Sequence, residues 1–414
     1  MRIIHTSDWH LGQTLHGFDR TYEHQCFLDW LLEQLESEQA DVLLVTGDVF
    51  DNANPSSSAQ RQLYRFLQAA RHRLPQLNIV LIAGNHDSPG RLEAPSPLLK
   101  VFGTVVVGQV GRGSEGEIEI EKLVVPLRDR SGQIRAWCLA IPFLRPGDVP
   151  RVETEGDAYL PGVAELYGQA LVWALSRREP GQAILAMGHC HMAGTGISSD
   201  SERRIVIGGA EMLPAGLFDE RIAYAALGHL HLAQSVGGQD WIRYSGSPLP
   251  MSFSETYYRH QIVRIDLAGE KASTIQQIPV PRFVELLRVP PQPQVLTEVL
   301  TALAELELED LPEQRWPYLE ARVLYDGPEP GARVAVESVL AGKRVRLARI
   351  DPNHVRRENG ADTNVTDPLD DLCRLQPEDI FLGHYRNTYS DEVPEALQKA
   401  FLELLIETSE GTDA

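Results

Sequence analysis

An α/β fold built on a parallel sheet is predicted for the first part of this 414-residue chain, and three observations predict it. Apolar, strand-like runs alternate with amphipathic helical patterns over the first 83 residues. These runs end in polar residues, most of them assisted by glycine, which places ligand-binding chemistry at the carboxyl ends of strands. The character of the sequence changes after residue 100 and again near residue 280. A chain of this length can hold two or three domains, each with its own core.

The elements follow in order. Residues 2 to 7 read as a buried strand leading into Asp8, Trp9 and His10. Residues 19 to 38 read as a helix, because Phe27, Leu28, Leu31, Leu32 and Leu35 recur at helical spacing and Asp19 offers an N-cap. Val42 to Thr46 is a second strand, ending in Gly47-Asp48. A polar loop from Asp51 to Ser58 leads into a helix of about residues 58 to 73, and Leu77 to Ala83 is the third strand. It ends in Gly84-Asn85-His86, where glycine allows a sharp turn without a Cβ penalty.

Beyond residue 100, Val105–Val107, Ile118–Val125 and Trp137–Ile141 read as a second, largely antiparallel set of strands. A Pro/Gly-rich excursion (145 to 162) precedes a helix of about 163 to 178. Ala183–Met187 and Tyr224–Leu227 are strands ending in Gly188-His189 and Gly228-His229-Leu230-His231, and Trp241–Tyr244 and Gln261–Asp266 close this part. Prolines 279, 281, 290, 291 and 293 punctuate a boundary. After it come a strand (283 to 289), an amphipathic helix (295 to 306), a strand (318 to 325), a helix (332 to 341) and a strand (345 to 350), a small α+β unit. A polar stretch, 351–368, reads as a linker, and 369–410 as a helical segment whose apolar face carries Leu397, Ala400, Phe401, Leu404 and Leu405. The expected domains are therefore 1–278, 279–350, the linker and the terminal segment.

Composition bounds the function. A formal charge of -20 argues against non-specific coating of nucleic acid, because phosphate contacts need Lys and Arg. It is compatible with a local site whose sign is reversed by metal ions. Cys26, Cys138, Cys190 and Cys373 show no close pairing, and the N-terminus has no signal-peptide pattern, so a cytoplasmic chain is expected. No run of about 18 apolar residues reads as a membrane span.

The strand exits form a constellation: Asp8-x-His10, Gly47-Asp48, Gly84-Asn85-His86, Gly188-His189 and Gly228-His229-x-His231. Residues two apart on extended chain point the same way, so Asp8 and His10 share a target, as do His229 and His231. Asp8, His10, Asp48, Asn85, His189, His229 and His231 are more ligands than one ion needs and suit two ions with a shared bridge. Mixed oxygen and imidazole donors fit Mn, Fe or Zn better than Ca or Mg. Two divalent cations against the two carboxylates Asp8 and Asp48 leave a net positive site that attracts a phosphodiester and acidifies a bound water.

This pattern resembles the calcineurin-like metallophosphoesterase superfamily over roughly the first 270 residues. The sequences Arg-Ile-Ile-His-Thr-Ser-Asp-Trp-His-Leu-Gly at 2 to 12, Gly-Asp-Val-Phe-Asp at 47 to 51, Gly-Asn-His-Asp at 84 to 87 and Gly-Ser-Pro at 246 to 248 are similar to its double-strand-break repair nucleases. The resemblance implies a two-sheet sandwich flanked by helices, a capping role for the α+β unit, and two divalent metal ions, Mn2+ being the expected pair. It implies Asp8, His10, Asp48 and His231 on one ion and Asp48, Asn85, His189 and His229 on the other, with Asp48 bridging. His86 matches the residue that positions the scissile phosphate or protonates the leaving oxygen. Asp51 stands where archaeal and eukaryotic relatives have histidine. The wider phosphatases use an Asp at this spacing to orient the histidine matching His86; an Asx-turn role before Pro55 is the alternative. The implied activity is DNA cleavage, exonucleolytic on duplex and endonucleolytic on single strands, by in-line attack of a metal-bound hydroxide.

The resemblance also implies a homodimer and an SMC-like ATPase partner, whose GxxxxGK[ST] loop this chain lacks. Leu63, Phe66, Leu67, Leu98, Leu99 and Phe102 are candidate dimer contacts or, alternatively, core. His191 mimics a ligand pair with His189 by spacing but is expected to be a bystander, as is Cys190. His5 and Trp9 read as packing residues. The basic cluster Lys343, Arg344, Arg346, Arg349, Arg356 and Arg357 suits either a DNA backbone or a solvated strand face. The rival activities are phosphomonoester or cyclic-nucleotide hydrolysis, and a metal-free scaffold.

Overall fold

The computed structural model describes residues 1–154, 157–196, 212–325 and 331–354, together with Tyr385, Val393, Pro394 and Leu397. The terminal segment 369–410 and the end of the linker lie otherwise outside the described residues. The contacts divide the chain into two compact units. The first is Met1–Leu286 with Leu311–Tyr318, and the second is Leu287–Asp310 with the described residues from Leu319 to His354.

The first unit is a two-sheet sandwich. One sheet holds β1 (Arg2–Thr6), β2 (Val42–Thr46), β3 (Asn78–Ile82) and β4 (Thr104–Val107), side by side and parallel. The hairpin β11 (Gln261–Ala268) and β12 (Lys271–Pro279) extends it, with β11 antiparallel to β1. The second sheet runs β9 (Gln234–Val236), β10 (Gln239–Tyr244), β8 (Tyr224–Gly228), β7 (Ala183–His189), β6 (Ile134–Ala140) and β5 (Val124–Arg128).

Alternation along the first-sheet strands explains the layers. Ile3, Val42, Leu44, Val80 and Ile82 face the second sheet in one core. Ile4, Leu43, Val45, Ile79 and Leu81 face the helices α1 (Thr21–Ser37) and α2 (Ser57–Arg73) in another. Both faces are buried, so these strands are continuously apolar rather than alternating polar and apolar. The helix α3 (Tyr159–Arg177) covers the far face of the second sheet through Val163, Leu166, Ala170 and Ala174.

Three expectations are corrected. Val105–Val107 belongs to the first sheet as its parallel edge. The second sheet is parallel in its centre, since β6, β7, β8 and β10 run the same way and only the edges β5 and β9 are antiparallel. The helix α3 is the cause: it returns the chain from β6 to β7 as a crossover, which a parallel pair requires. Asp19 also caps differently. Arg20 occupies the N-cap, while the Asp19 carboxylate accepts from the Thr21 amide at 2.9 Å and the Thr21 hydroxyl at 2.9 Å.

In the second unit, β13 (Leu286–Gln294), β14 (Tyr318–Tyr325) and β15 (Arg346–His354) form a sheet with β14 in the middle. Leu319, Ala321 and Val323 pack on Val299 and Leu303 of α4 (Leu296–Ala304) and Val336 and Leu340 of α5 (Ala332–Leu340). Strand β13 runs through Pro290, Pro291 and Pro293, which the sequence reads as boundary. An edge strand tolerates them because its outward N–H groups have no ladder partner to lose. Strand β15 continues to His354, four residues into the expected linker.

Candidate metal centre

The five strand exits meet at one end of the sandwich. Backbone bonds fasten the first two together: the Asp8 amide donates to the Gly47 carbonyl at 3.1 Å and the His10 amide to the Asp48 carbonyl at 3.0 Å. Asp8, His10, Asp48 and His229 all take left-handed backbone conformations, with φ of 53, 45, 47 and 104°. Each costs on the order of 1 kcal/mol in a non-glycine residue, and such strain concentrates where side chains must be aimed. Glycine solves the closest approach. A Cβ on Gly84 would collide with the Asp48 carboxylate, and one on Gly228 with the Thr46 carbonyl across the two sheets.

The side chains converge as two groups that share Asp8, and Asp48 lies between His10 and His189. Donor atoms of Asp8, His10 and His231 lie within 4.8 Å of one another, as do those of Asp8, Asp48 and His189. Asp48 Oδ2 is 3.4 Å from His189 Nε2 and 3.7 Å from His10 Nε2. Asn85 Oδ1 accepts from His189 Nε2 at 2.9 Å and from His229 Nδ1 at 3.2 Å. The His229 amide donates to both oxygens of Asp8, at 3.0 and 3.2 Å. All seven expected ligands are thus gathered.

The surroundings aim these groups. His189 Nδ1 donates to the Thr46 carbonyl at 2.9 Å, which leaves Nε2 facing Asp48. His231 Nδ1 donates to the wholly buried Glu255 at 2.9 Å, and Glu255 also accepts from the Met251 amide at 2.7 Å. Such outer carboxylates fix the tautomer and orientation of a metal-binding imidazole. Burial disfavours charge on both Asp48 and His189, yet each outweighs that for the other: Asp48 is held well below the carboxylate range, with His10 and His86 assisting, and His189 is raised to about 9. His229, buried and facing the His189 charge, is pushed well below its ordinary value.

The donor set fits a divalent cation. His10 Nε2 is buried, has no hydrogen-bond partner among the described residues, and points at Asp48. A buried nitrogen left so is costly unless a ligand takes it. Oxygens and imidazoles together suit Mn, Fe or Zn.

His86 and Asp51 sit beside this centre. His86 Nδ1 donates to the backbone carbonyl of Asp51 at 2.7 Å, while the Asp51 carboxylate lies 3.4 Å from His10 Nδ1. Asp51 meets His86 at hydrogen-bond distance through its main chain, and its carboxylate also forms a group with His10 and His86 whose donor atoms lie within 4.8 Å of one another. His191 belongs to none of the described ligand clusters. His5 is a core histidine, bonded to the Tyr224 hydroxyl at 2.9 Å and Thr46 Oγ1 at 3.1 Å. Trp9 packs edge-on against Phe27 and Phe66 at 5.8 and 5.4 Å. Of the candidate dimer contacts, Leu63, Phe66, Leu67 and Leu99 are buried in their own chain, whereas Leu98 and Phe102 are exposed.

Sequence reasoning missed two residues. Glu255 lies far from any motif and has no signal beyond its type. Asp87 follows His86 directly; its buried carboxylate accepts from the Val49, Phe50 and Gly84 amides at 3.1, 2.9 and 2.9 Å and ties the second exit to the third.

A family model described as calcineurin-like phosphoesterase matches residues 1–233, and one described as a type 5 capsule protein repressor C-terminal domain matches residues 282–389. The SbcD subunit of the SbcCD nuclease of Rhodobacter capsulatus is 41% identical over 390 residues, 93% of this chain and 94% of that protein. Its namesake from Escherichia coli is 35% identical over 288 residues, 68% of each chain. That of Bacillus subtilis is 31% identical over 417 residues, covering 98% of this chain and 97% of that one. With matches that run nearly end to end and a site that gathers the motif residues, the chain belongs to the SbcD family of nuclease subunits within the calcineurin-like phosphoesterases.

Proposed function

We propose that the chain is a two-metal DNA phosphodiesterase, cutting duplex ends exonucleolytically and single strands endonucleolytically. The observation that carries this reading is the position of Asp48 between His10 on one side and His189 on the other, with Asp8 common to the ligand groups of both. Two divalent cations held there, most simply Mn2+, supply Lewis acidity and lower the pKa of a water to about 7. One is assigned to Asp8, His10, Asp48 and His231, the other to Asp48, Asn85, His189 and His229.

The remaining work falls to the protein. His86, fixed by Nδ1 to the Asp51 carbonyl, presents Nε2 to the substrate, where it orients the phosphoryl oxygens or protonates the leaving oxygen. Glu255 keeps His231 in the tautomer that offers Nε2. Asp51, against His10, steadies that ring.

The test is digestion of end-labelled duplex DNA with and without manganese. Cleavage that requires the metal and disappears with chelator is expected. Hydrolysis of phosphomonoesters without any cleavage of DNA would overturn the reading.

Family membership supports a complex with an SMC-like ATPase. The SMC-like ATPase SbcC is assigned to the segment 369–410, and a homodimer within a heterotetramer to the surface that includes Leu98 and Phe102. Ending the chain at Thr366 should leave a folded nuclease that no longer co-purifies with SbcC; undiminished complex formation would contradict the assignment. A complex that acts on DNA ends would serve repair and recombination, and the proposed compartment is the bacterial cytoplasm.

A further inference from the structure

A sixth strand exit reaches the centre without bringing a ligand. Strand β6 pairs with β7 up to Ala140 opposite Met187, two residues before His189. The chain then continues as Ile141-Pro142-Phe143-Leu144-Arg145-Pro146. The Phe143 amide donates to the Ala83 carbonyl at 2.9 Å, immediately before Gly84-Asn85-His86. The segment is thereby held between the exits that carry Asn85 and His189. The Phe143 ring stands edge-on to the His189 ring, with centroids 6.3 Å apart and planes at 81°.

Arg145 lies on that ring, its guanidinium carbon 5.6 Å from the Phe143 centroid. The backbone beneath it is pinned three times. The Arg145 amide donates to the Asp148 carboxylate at 2.8 Å, the Asp148 amide returns to the Arg145 carbonyl at 2.9 Å, and the Tyr159 hydroxyl donates to the Leu144 carbonyl at 3.0 Å. The guanidinium itself is exposed and, among the described residues, forms no ion pair or side-chain hydrogen bond. An uncommitted cation on a fixed aromatic platform, two contacts from a metal-ligating imidazole, is unusual in a chain of charge -20. Its planar fork matches the oxygens of a phosphodiester, and the ring holds the fork in place before anything binds.

We propose that Phe143 and Arg145 form a phosphate subsite at the rim of the metal centre, which takes an internucleotide phosphate adjoining the scissile one. This rests on the reading of the chain as a DNA phosphodiesterase and adds what that reading leaves open: how the strand is registered beside the metals. A substrate with a single phosphate cannot use the subsite. A polynucleotide can, and Arg145 then contributes mainly to binding rather than to the chemical step.

The experiment compares the full-length chain, loaded with manganese, with its Arg145→Gln and Arg145→Lys variants. Each is assayed on end-labelled DNA at several salt concentrations and on bis(p-nitrophenyl) phosphate, a diester with no neighbouring phosphate. For Arg145→Gln, KM for DNA should rise about tenfold, the size of one charge-assisted contact. The slope of log KM against log salt should fall by about one unit. The loss on the small diester should be several-fold smaller than the loss on DNA. Arg145→Lys should recover the salt slope but only part of the KM, since it keeps the charge without the fork. An Arg145→Gln variant with parental KM and salt slope on DNA would overturn the subsite, and so would equal losses on both substrates. A parent chain that hydrolyses the small diester but leaves DNA intact would instead overturn the underlying reading, and the subsite with it.

Discussion

His86 is held by the main chain of Asp51: Nδ1 donates to the Asp51 carbonyl at 2.7 Å. Any residue at 51 with the same backbone preserves that bond. His86→Gln should therefore retain metal and lose about 10²–10⁴-fold in rate, the usual contribution of a positioned acid or base. Asp51→Asn should lose far less, and through His10, which its carboxylate approaches at 3.4 Å. Steady-state rates with elemental analysis of bound metal check both. A His86→Gln protein that arrives without metal would refute the assignment.

Asp48 tests the bridge. If it serves both ions, Asp48→Ala should abolish cleavage and lower bound metal from two ions towards one or none. A variant carrying two ions per chain would show that each cluster holds its metal without the bridge.

The His189–Asp48 pair sets a pH dependence in the metal-free protein. The pKa of His189 is raised from 6.5 to about 9, because Asp48 outweighs burial. A raised pKa means stability that is fully present below pH 6.5 and lost as pH climbs through about 9. Metal binding needs the same proton to leave. Apparent metal affinity should therefore rise with pH across this window, up to about tenfold per unit, and level off above it for this group. Calorimetric titration in two buffers of different ionisation enthalpy counts the proton released. Affinity independent of pH between these limits would show that His189 is already neutral.

Asp87 should act on metal loading without touching metal. Its pKa is raised to about 6 by burial and by the charge of Asp48, against the pull of three amide hydrogen bonds. Asp87→Asn turns an amide NH2 towards backbone N–H donors and leaves at least one of them unsatisfied, a cost of about 1–3 kcal/mol. Thermal unfolding should show that loss, and metal affinity should fall because Gly84 and Val49 flank Asn85 and Asp48. An unchanged melting temperature together with unchanged metal affinity would remove Asp87 from this role.

Residue order alone was enough for the alternation of strand and helix over the first 83 residues and for the set of polar strand exits. Both are local. Continuous apolar runs such as Val42–Thr46 can only be strands buried on two faces, and Asp8-x-His10 or His229-x-His231 shows its shared direction through the period of extended chain. Other features depend on groups distant in the chain or on backbone atoms, and folding in three dimensions was needed to settle them. The direction of the strands in the second sheet follows from α3, which forces β6 and β7 to run parallel although their own residues suit either pairing. Leu63, Phe66 and Leu67 read equally as interface or core, and only the packing of α2 against Trp9 and the first sheet buries them. The orientation of His86 rests on a carbonyl, which every residue possesses and no motif can mark. Glu255 reaches His231 across 24 positions of chain, and Arg145 gains its meaning only where Phe143 is pressed against His189. Side-chain type and spacing encode what lies within a few residues; which distant groups come to share a site is set by burying both faces of two sheets at once.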